Sequence, residues 1–190
     1  MIQADEDSLS EEQRLMRASC RSFVDEVVTP FVRANWRREW DMSPEDRLPP
    51  SILEGAEAIG VRTLGVPESH GGFDLDPATE VRTFALVAEE IARGDEIARG
   101  DSGLADKLVQ NWKVAILLRE VAPRHLLDAW LPRLRAEPGF LLAHALTEPR
   151  GASDRWLPYD VPEAAMQTRA VQDGGGWVLN GRKHYISNGY

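Results

Sequence analysis

Two stretches of this 190-residue chain concentrate side chains that could hold a ligand. One is Leu146-Thr147-Glu148-Pro149-Arg150-Gly151-Ala152-Ser153-Asp154. The other is Leu179-Asn180-Gly181-Arg182-Lys183-His184-Tyr185-Ile186-Ser187-Asn188-Gly189. Each reads as a strand ending in small polar residues, an edge that offers hydroxyls and backbone amides to a flat cofactor. Taken alone, His144 on its apolar strand reads as a satisfied core or edge histidine, and Ser187 as a plain strand-end hydroxyl. The four histidines show no metal-ligand spacing, so no metal is expected. The Gly174 to Gly176 run has no helix after it and reads as a hairpin turn, not a phosphate loop.

Those edges need elements to position them. From about residue 10 to residue 138 the pattern is helical. Ser10-Glu11-Glu12-Gln13 is a capping box, and Leu15, Phe23, Val27 and Phe31 follow on one drifting face. Pro30 predicts a kink or an end. A short helix starts at Ser51 with Ile52, Leu53 and Ala56 inward, and Val66 to Leu75 is a turn-rich loop. Asp76-Pro77 starts a helix with Val81, Phe84, Ala85, Ala88 and Ile91 as its apolar stripe, and Gly94 ends it. Glu89-Glu90 reads as a solvated edge. The segment Glu90-Ile91-Ala92-Arg93-Gly94-Asp95 is repeated as Glu96 to Asp101. That length does not match whole helical turns, so the second copy is expected to bulge into a loop. Further helices cover 105–118 and 123–134.

Strand character begins after Pro138. Strands are expected at Phe140–Leu146, Met166–Val171 and Trp177–Leu179. Asn180-Gly181 is the expected tight hairpin turn, and Lys183–Ile186 the return strand. The fold class is therefore α+β: an N-terminal all-α bundle over 1–138, then, over 139–190, the start of a β-domain cut off at Tyr190.

Bulk properties narrow the function. A net charge of −9 argues against nucleic acid as a partner, and no apolar run reaches the length of a membrane span. The acidic opening Met1 to Asp7 is neither a secretory signal nor an Arg-rich transit peptide. The single cysteine, Cys20, forms no intrachain disulfide and fits a reducing compartment, so a cytoplasmic location is expected.

The two edges, in this order after a helical segment, resemble the acyl-CoA dehydrogenase family. The resemblance extends to Leu9-Ser10-Glu11-Glu12-Gln13-Arg14, to Val66-Pro67-Glu68 with Gly71-Gly72, to Val87-Ala88-Glu89-Glu90-Ile91-Ala92-Arg93 and to Trp130-Leu131-Pro132. It implies a helical domain, a middle antiparallel β-barrel domain and a C-terminal helical bundle that lies beyond Tyr190. It also implies FAD, bound noncovalently by His144, Leu146, Thr147, Ser153, Tyr185 and Ser187. Thr147 would serve the N1/O2 side of the ring, Ser187 its N5, and Tyr185 would pack on the ring where Trp is common. Ser153 would also touch the acyl-CoA. The reaction implied is α,β-dehydrogenation of an acyl-CoA thioester. Its base would be a Glu beyond residue 190, so no catalytic residue is assigned here and Glu148 reads as structural. An electron-transfer flavoprotein or similar acceptor, and a homodimer or homotetramer, complete the expectation.

Gly151-Ala152 stands where the family has Ala-Gly, and the loop from Arg155 to Gln167, with Trp156, is longer than the family pattern. That loop keeps two rivals open, an acyl-CoA oxidase and a flavin-dependent monooxygenase. The end at Tyr190 keeps a third open, a non-catalytic module.

Overall fold

A computed structural model describes residues 8–99, 103–149 and 166–189. It divides into two compact units, one ending at Leu142 and one running from Ala143 to Gly189.

The first unit is helical. Helix α1 (Glu11–Phe23) starts at the expected capping box: Gln13 N–H donates to Ser10 Oγ at 3.1 Å, and Ser10 N–H to Gln13 Oε1 at 3.2 Å. Its inward face differs from the expected one. Gln13, Arg17, Cys20 and Phe23 are buried, while Leu15 is 64% exposed. The cause is a polar seam to helix α5 (Glu80–Arg99), in which Gln13 Nε2 donates to Thr83 Oγ1 at 3.1 Å. Below it, Glu90 is only 2% exposed and accepts from Arg17 Nε at 2.8 Å, Arg21 Nη2 at 2.6 Å and Arg93 Nε at 3.1 Å. Glu90 is thus no solvated edge. The stripe of α5 turns accordingly: Thr83, Leu86, Val87, Glu90 and Ile91 face inward, and Val81 is 77% exposed. Burial on its own would raise the Glu90 pKa, but the bonds from Arg21, Arg17 and Arg93 outweigh it and hold the carboxyl down to about 2.

Pro30 does not end its helix. A π-helical stretch (Val24–Val28) precedes it, with Thr29 N–H reaching back to Val24 O, and helix α2 (Thr29–Asn35) continues. The widened turn absorbs the donor that proline lacks. A 3₁₀ segment (Trp36–Asp41) and helix α3 (Pro44–Arg47) lead to α4 (Pro50–Ala58), whose Ile52, Leu53 and Ala56 enter the core as expected. Helix α5 runs through Gly94 to Arg99, so within the described residues the second copy of the tandem begins as helix, not as a bulge. Helix α6 (Gly103–Val121) carries Trp112, which donates Nε1–H to Val61 O and stacks on Phe84 at 5.7 Å. A second apolar cluster joins Val66, Val114 and Ala115 to Leu131 and Leu134 of α7 (Arg124–Ala136), and it takes in Leu142.

That last contact explains a correction. Phe140–Leu146 is not a paired strand. Phe140 O accepts from Arg62 Nη2 at 3.0 Å and Leu142 N–H donates to Asn111 Oδ1 at 2.8 Å, so helical-unit side chains take the groups a strand neighbour would use.

The second unit holds strands β1 (Arg169–Asp173) and β2 (Gly176–Asn180), paired antiparallel from Arg169↔Asn180 to Asp173↔Gly176. Gly174 and Gly175 make the turn at φ 54° and 87°, positive angles suited to a two-residue hairpin loop. Asn180-Gly181 is therefore not the hairpin turn. Gly181 lies instead against Thr168, whose Cα would sit 2.5 Å from any Cβ added there. The chain is mostly helical with a two-stranded antiparallel sheet. Lys183–Ile186 forms no third strand, because its groups bond elsewhere.

Candidate functional site

The second unit brings the two motifs together through one buried carboxylate. Glu148, 6% exposed, accepts from Gln167 N–H at 2.6 Å, Thr168 N–H at 2.8 Å and Lys183 Nζ at 2.9 Å. The same Lys183 ammonium donates to Leu146 O at 3.1 Å, and His184 N–H donates to Thr147 O at 3.1 Å. Segments 146–148 and 183–184 are thereby stitched side by side, with β1 and β2 as the arm that returns the chain. Thr168, then Lys183 and the Gln167 N–H, hold the Glu148 carboxyl down to about 2, so it is ionised at neutral pH. A paired, ionised carboxylate with this many donors is an anchor and a poor proton acceptor.

Of the six residues expected to touch a cofactor, five are among the described residues of this unit. Leu146 and Thr147 are half-buried and directly bonded to the 183–184 segment. His144 is half-buried, and its carbonyl accepts from Leu146 N–H at 3.0 Å. Tyr185 is 88% exposed, in a left-handed conformation at φ 54°, with its ring 4.3 Å from that of His184. Left-handed backbone is unusual for a bulky residue and costs about 1 kcal/mol. Here it presents an aromatic face outward. Ser187 is half-buried and precedes Asn188, itself left-handed at φ 61°. A turn closed by Gly189 N–H to Ile186 O at 3.0 Å ends the segment. Ser153, and with it Trp156 and most of the long loop, lies outside the described residues.

The donor set suits a neutral, amide-bearing ring. Thr147 and Ser187 bring hydroxyls, the flanking peptides bring amides, and Tyr185 brings an apolar face. The Lys183 cation is spent on Leu146 and Glu148. Sequence reasoning assigned Glu148 a structural part but missed Lys183. The available signal was a single Lys and a single Glu, one within each motif, of opposite charge.

A second constellation sits in the helical unit. Ser69 Oγ lies 2.9 Å from His70 Nδ1, and His70 Nε2 lies 2.8 Å from Asp128 Oδ1. The types match a hydrolytic triad. However, the next two amides are committed, Gly71 N–H to Glu68 O and Gly72 N–H to Pro67 O, which leaves that turn no amide pair for an oxyanion. The row ties the loop to α7. Among the described residues no cluster of His, Cys, Asp or Glu could hold a metal, and no helix is long and apolar enough to cross a membrane.

Comparison with known proteins identifies the family. Residues 10–137 match the family model for the acyl-CoA dehydrogenase N-terminal domain. The chain is 33% identical over 180 residues to (2S)-methylsuccinyl-CoA dehydrogenase of Cereibacter sphaeroides, covering 95% of this chain and 28% of that protein. It is 31% identical over 181 residues to "Probable acyl-CoA dehydrogenase fadE25" of Mycobacterium leprae, covering 95% of this chain and 40% of that one. Among solved structures, an acyl-CoA dehydrogenase complexed with FAD from Bacillus anthracis superposes with a TM-score of 0.72 at 25% identity, over 96% of this chain and 28% of that one. The chain thus spans between 28% and 40% of the length of these relatives.

Proposed function

The chain belongs to the acyl-CoA dehydrogenase family, and we propose that it carries one edge of an FAD site in an enzyme that removes hydrogen from the α and β carbons of an acyl-CoA thioester. The observation that carries the reading is the stitching of 146–148 to 183–184, which makes one rigid edge from the two motifs that bear Thr147 and Ser187. FAD would supply the acceptor for the β-hydrogen as hydride. The chain's own residues would bind and orient the ring. The Thr147 amide and hydroxyl would face its N1/O2 side, Ser187 would bond N5, Tyr185 would pack on its face, and His144 and Leu146 would complete the wall. Ser153 would reach both ring and thioester.

No carboxylate of this edge is suited to take the α-proton, since Glu148 is fully engaged. The base would come from elsewhere in the protein. The exposed hairpin would be the start of a β-barrel domain, an electron-transfer flavoprotein would reoxidise the flavin, and a homo-oligomer would be the working form. Support for all three comes from family membership alone.

The test is expression of the full reading frame, followed by assay against a panel of acyl-CoA thioesters with an artificial electron acceptor. Acceptor-dependent formation of a 2-enoyl-CoA is the expected result. A colourless protein that takes up no flavin would overturn the reading, and rapid peroxide formation in air would move it to an oxidase.

A further inference from the structure

We propose that Lys183 is a positioning residue that tunes the bound flavin through the Leu146–Thr147 peptide. This inference rests on the FAD reading above. Leu146 C=O and Thr147 N–H belong to a single peptide group. Lys183 Nζ donates to that carbonyl at 3.1 Å while its charge is held in place by Glu148 Oε1 at 2.9 Å. A cationic donor on the carbonyl end draws electron density along the amide and makes the N–H at the other end a stronger donor, the cooperative effect seen in chains of hydrogen bonds. That N–H is the group assigned to the ring edge where negative charge gathers on reduction. Lys183 therefore favours the reduced ring over the oxidised one without touching either.

Three features make the assignment specific. The ammonium is largely buried, so solvent does not screen it away. Glu148 is fixed by two backbone amides, from Gln167 and Thr168, which leaves Lys183 little freedom to swing out. The neighbouring bond, His184 N–H to Thr147 O, locks the next peptide of the same segment, so polarisation is not lost to rotation. A merely structural role would weaken oxidised and reduced flavin alike. A tuning role changes their ratio.

The experiment compares wild type, Lys183→Met and Lys183→Gln, each made from the full reading frame and loaded with FAD, by measuring the flavin midpoint potential with a reference dye. Lys183→Met is expected to lower the preference for reduced flavin on the order of tenfold, which for a two-electron couple is about 30 mV more negative. Lys183→Gln, which keeps a neutral donor, should fall between. An unchanged potential in a flavin-loaded Lys183→Met protein overturns the inference and leaves the FAD reading intact. A wild type that binds no FAD overturns the FAD reading itself. If Lys183→Met sheds its flavin, Lys183→Gln is read in the same way. If both shed it, Lys183 serves to hold the segment together and not to set the redox ratio, and the inference is wrong.

Discussion

Replacing Glu90 by Gln should destabilise the helical unit by about 3 kcal/mol. Glu90 is almost wholly buried and gathers Arg17, Arg21 and Arg93 on one carboxylate. Its pKa stands at about 2 against an ordinary 4.5. At about 1.4 kcal/mol for each pH unit, that displacement amounts to about 3 kcal/mol of preference for the charged form in the folded state. The figure falls at the low end of the 3–5 kcal/mol typical of breaking a buried ion pair, about what three partners sharing the charge should give. Glu90→Gln keeps the shape and removes the charge to which Arg17, Arg21 and Arg93 donate. For a domain stable by roughly 5–15 kcal/mol, such a loss is large.

Urea denaturation followed by circular dichroism measures it at pH 7. The pH dependence adds a second reading. Because the folded pKa is the lower one, the unfolded chain takes up the proton first. Wild-type stability from this group is therefore full above about pH 4.5 and drains away as pH falls towards 2. Glu90→Gln should lack that component. A loss below about 1 kcal/mol at pH 7, or an acid limb in the variant as steep as the wild type's, would refute the reasoning.

Other outcomes follow from the same structure. Burial, reinforced by Glu90, pushes the Cys20 thiol up to about 12, so a thiol reagent at pH 8 should label Cys20 only after denaturation; fast native labelling would contradict its burial. Asn111→Ala strips the partner from Leu142 N–H and should cost about 1–3 kcal/mol, with amide exchange rising locally at Leu142. Gly175→Val forces a β-branched residue to φ 87° and should loosen the β1–β2 pairing by roughly 1–3 kcal/mol, seen as faster exchange along 169–180, whereas Gly139→Ala, with open space around it, should leave the protein unchanged.

What was legible in the sequence was local. The Ser10 cap, the inward Ile52, Leu53 and Ala56, and the Gly174–Gly175 turn each depend on neighbours a few residues away. Most of the errors share one cause. Leu15 and Val81 were expected inside because apolar spacing was read without partners, yet α1 meets α5 through Gln13, Arg17, Thr83 and Glu90, pairs some seventy residues apart. The Phe140–Leu146 run looked like a strand because its hydrogen bonds to Arg62 and Asn111 reach partners 78 and 31 residues away. The same limit hid Lys183, whose meaning depends on Leu146 and Glu148. Asn180-Gly181 was misread for a different reason: a second hairpin was expected after β2, but Lys183 and His184 bond to Leu146, Thr147 and Glu148 instead.

The central claim is that Thr147 and Ser187 flank one flavin ring. It is met most directly by titrating the flavin-free protein, made from its full reading frame, with FAD, alongside the Thr147→Ala/Ser187→Ala double variant. The account predicts wild-type binding with a perturbed flavin absorption band, and affinity weaker by roughly ten- to a hundredfold in the double variant, as two hydrogen bonds of about 1 kcal/mol each imply. Equal affinity and identical spectra for the two proteins would contradict it.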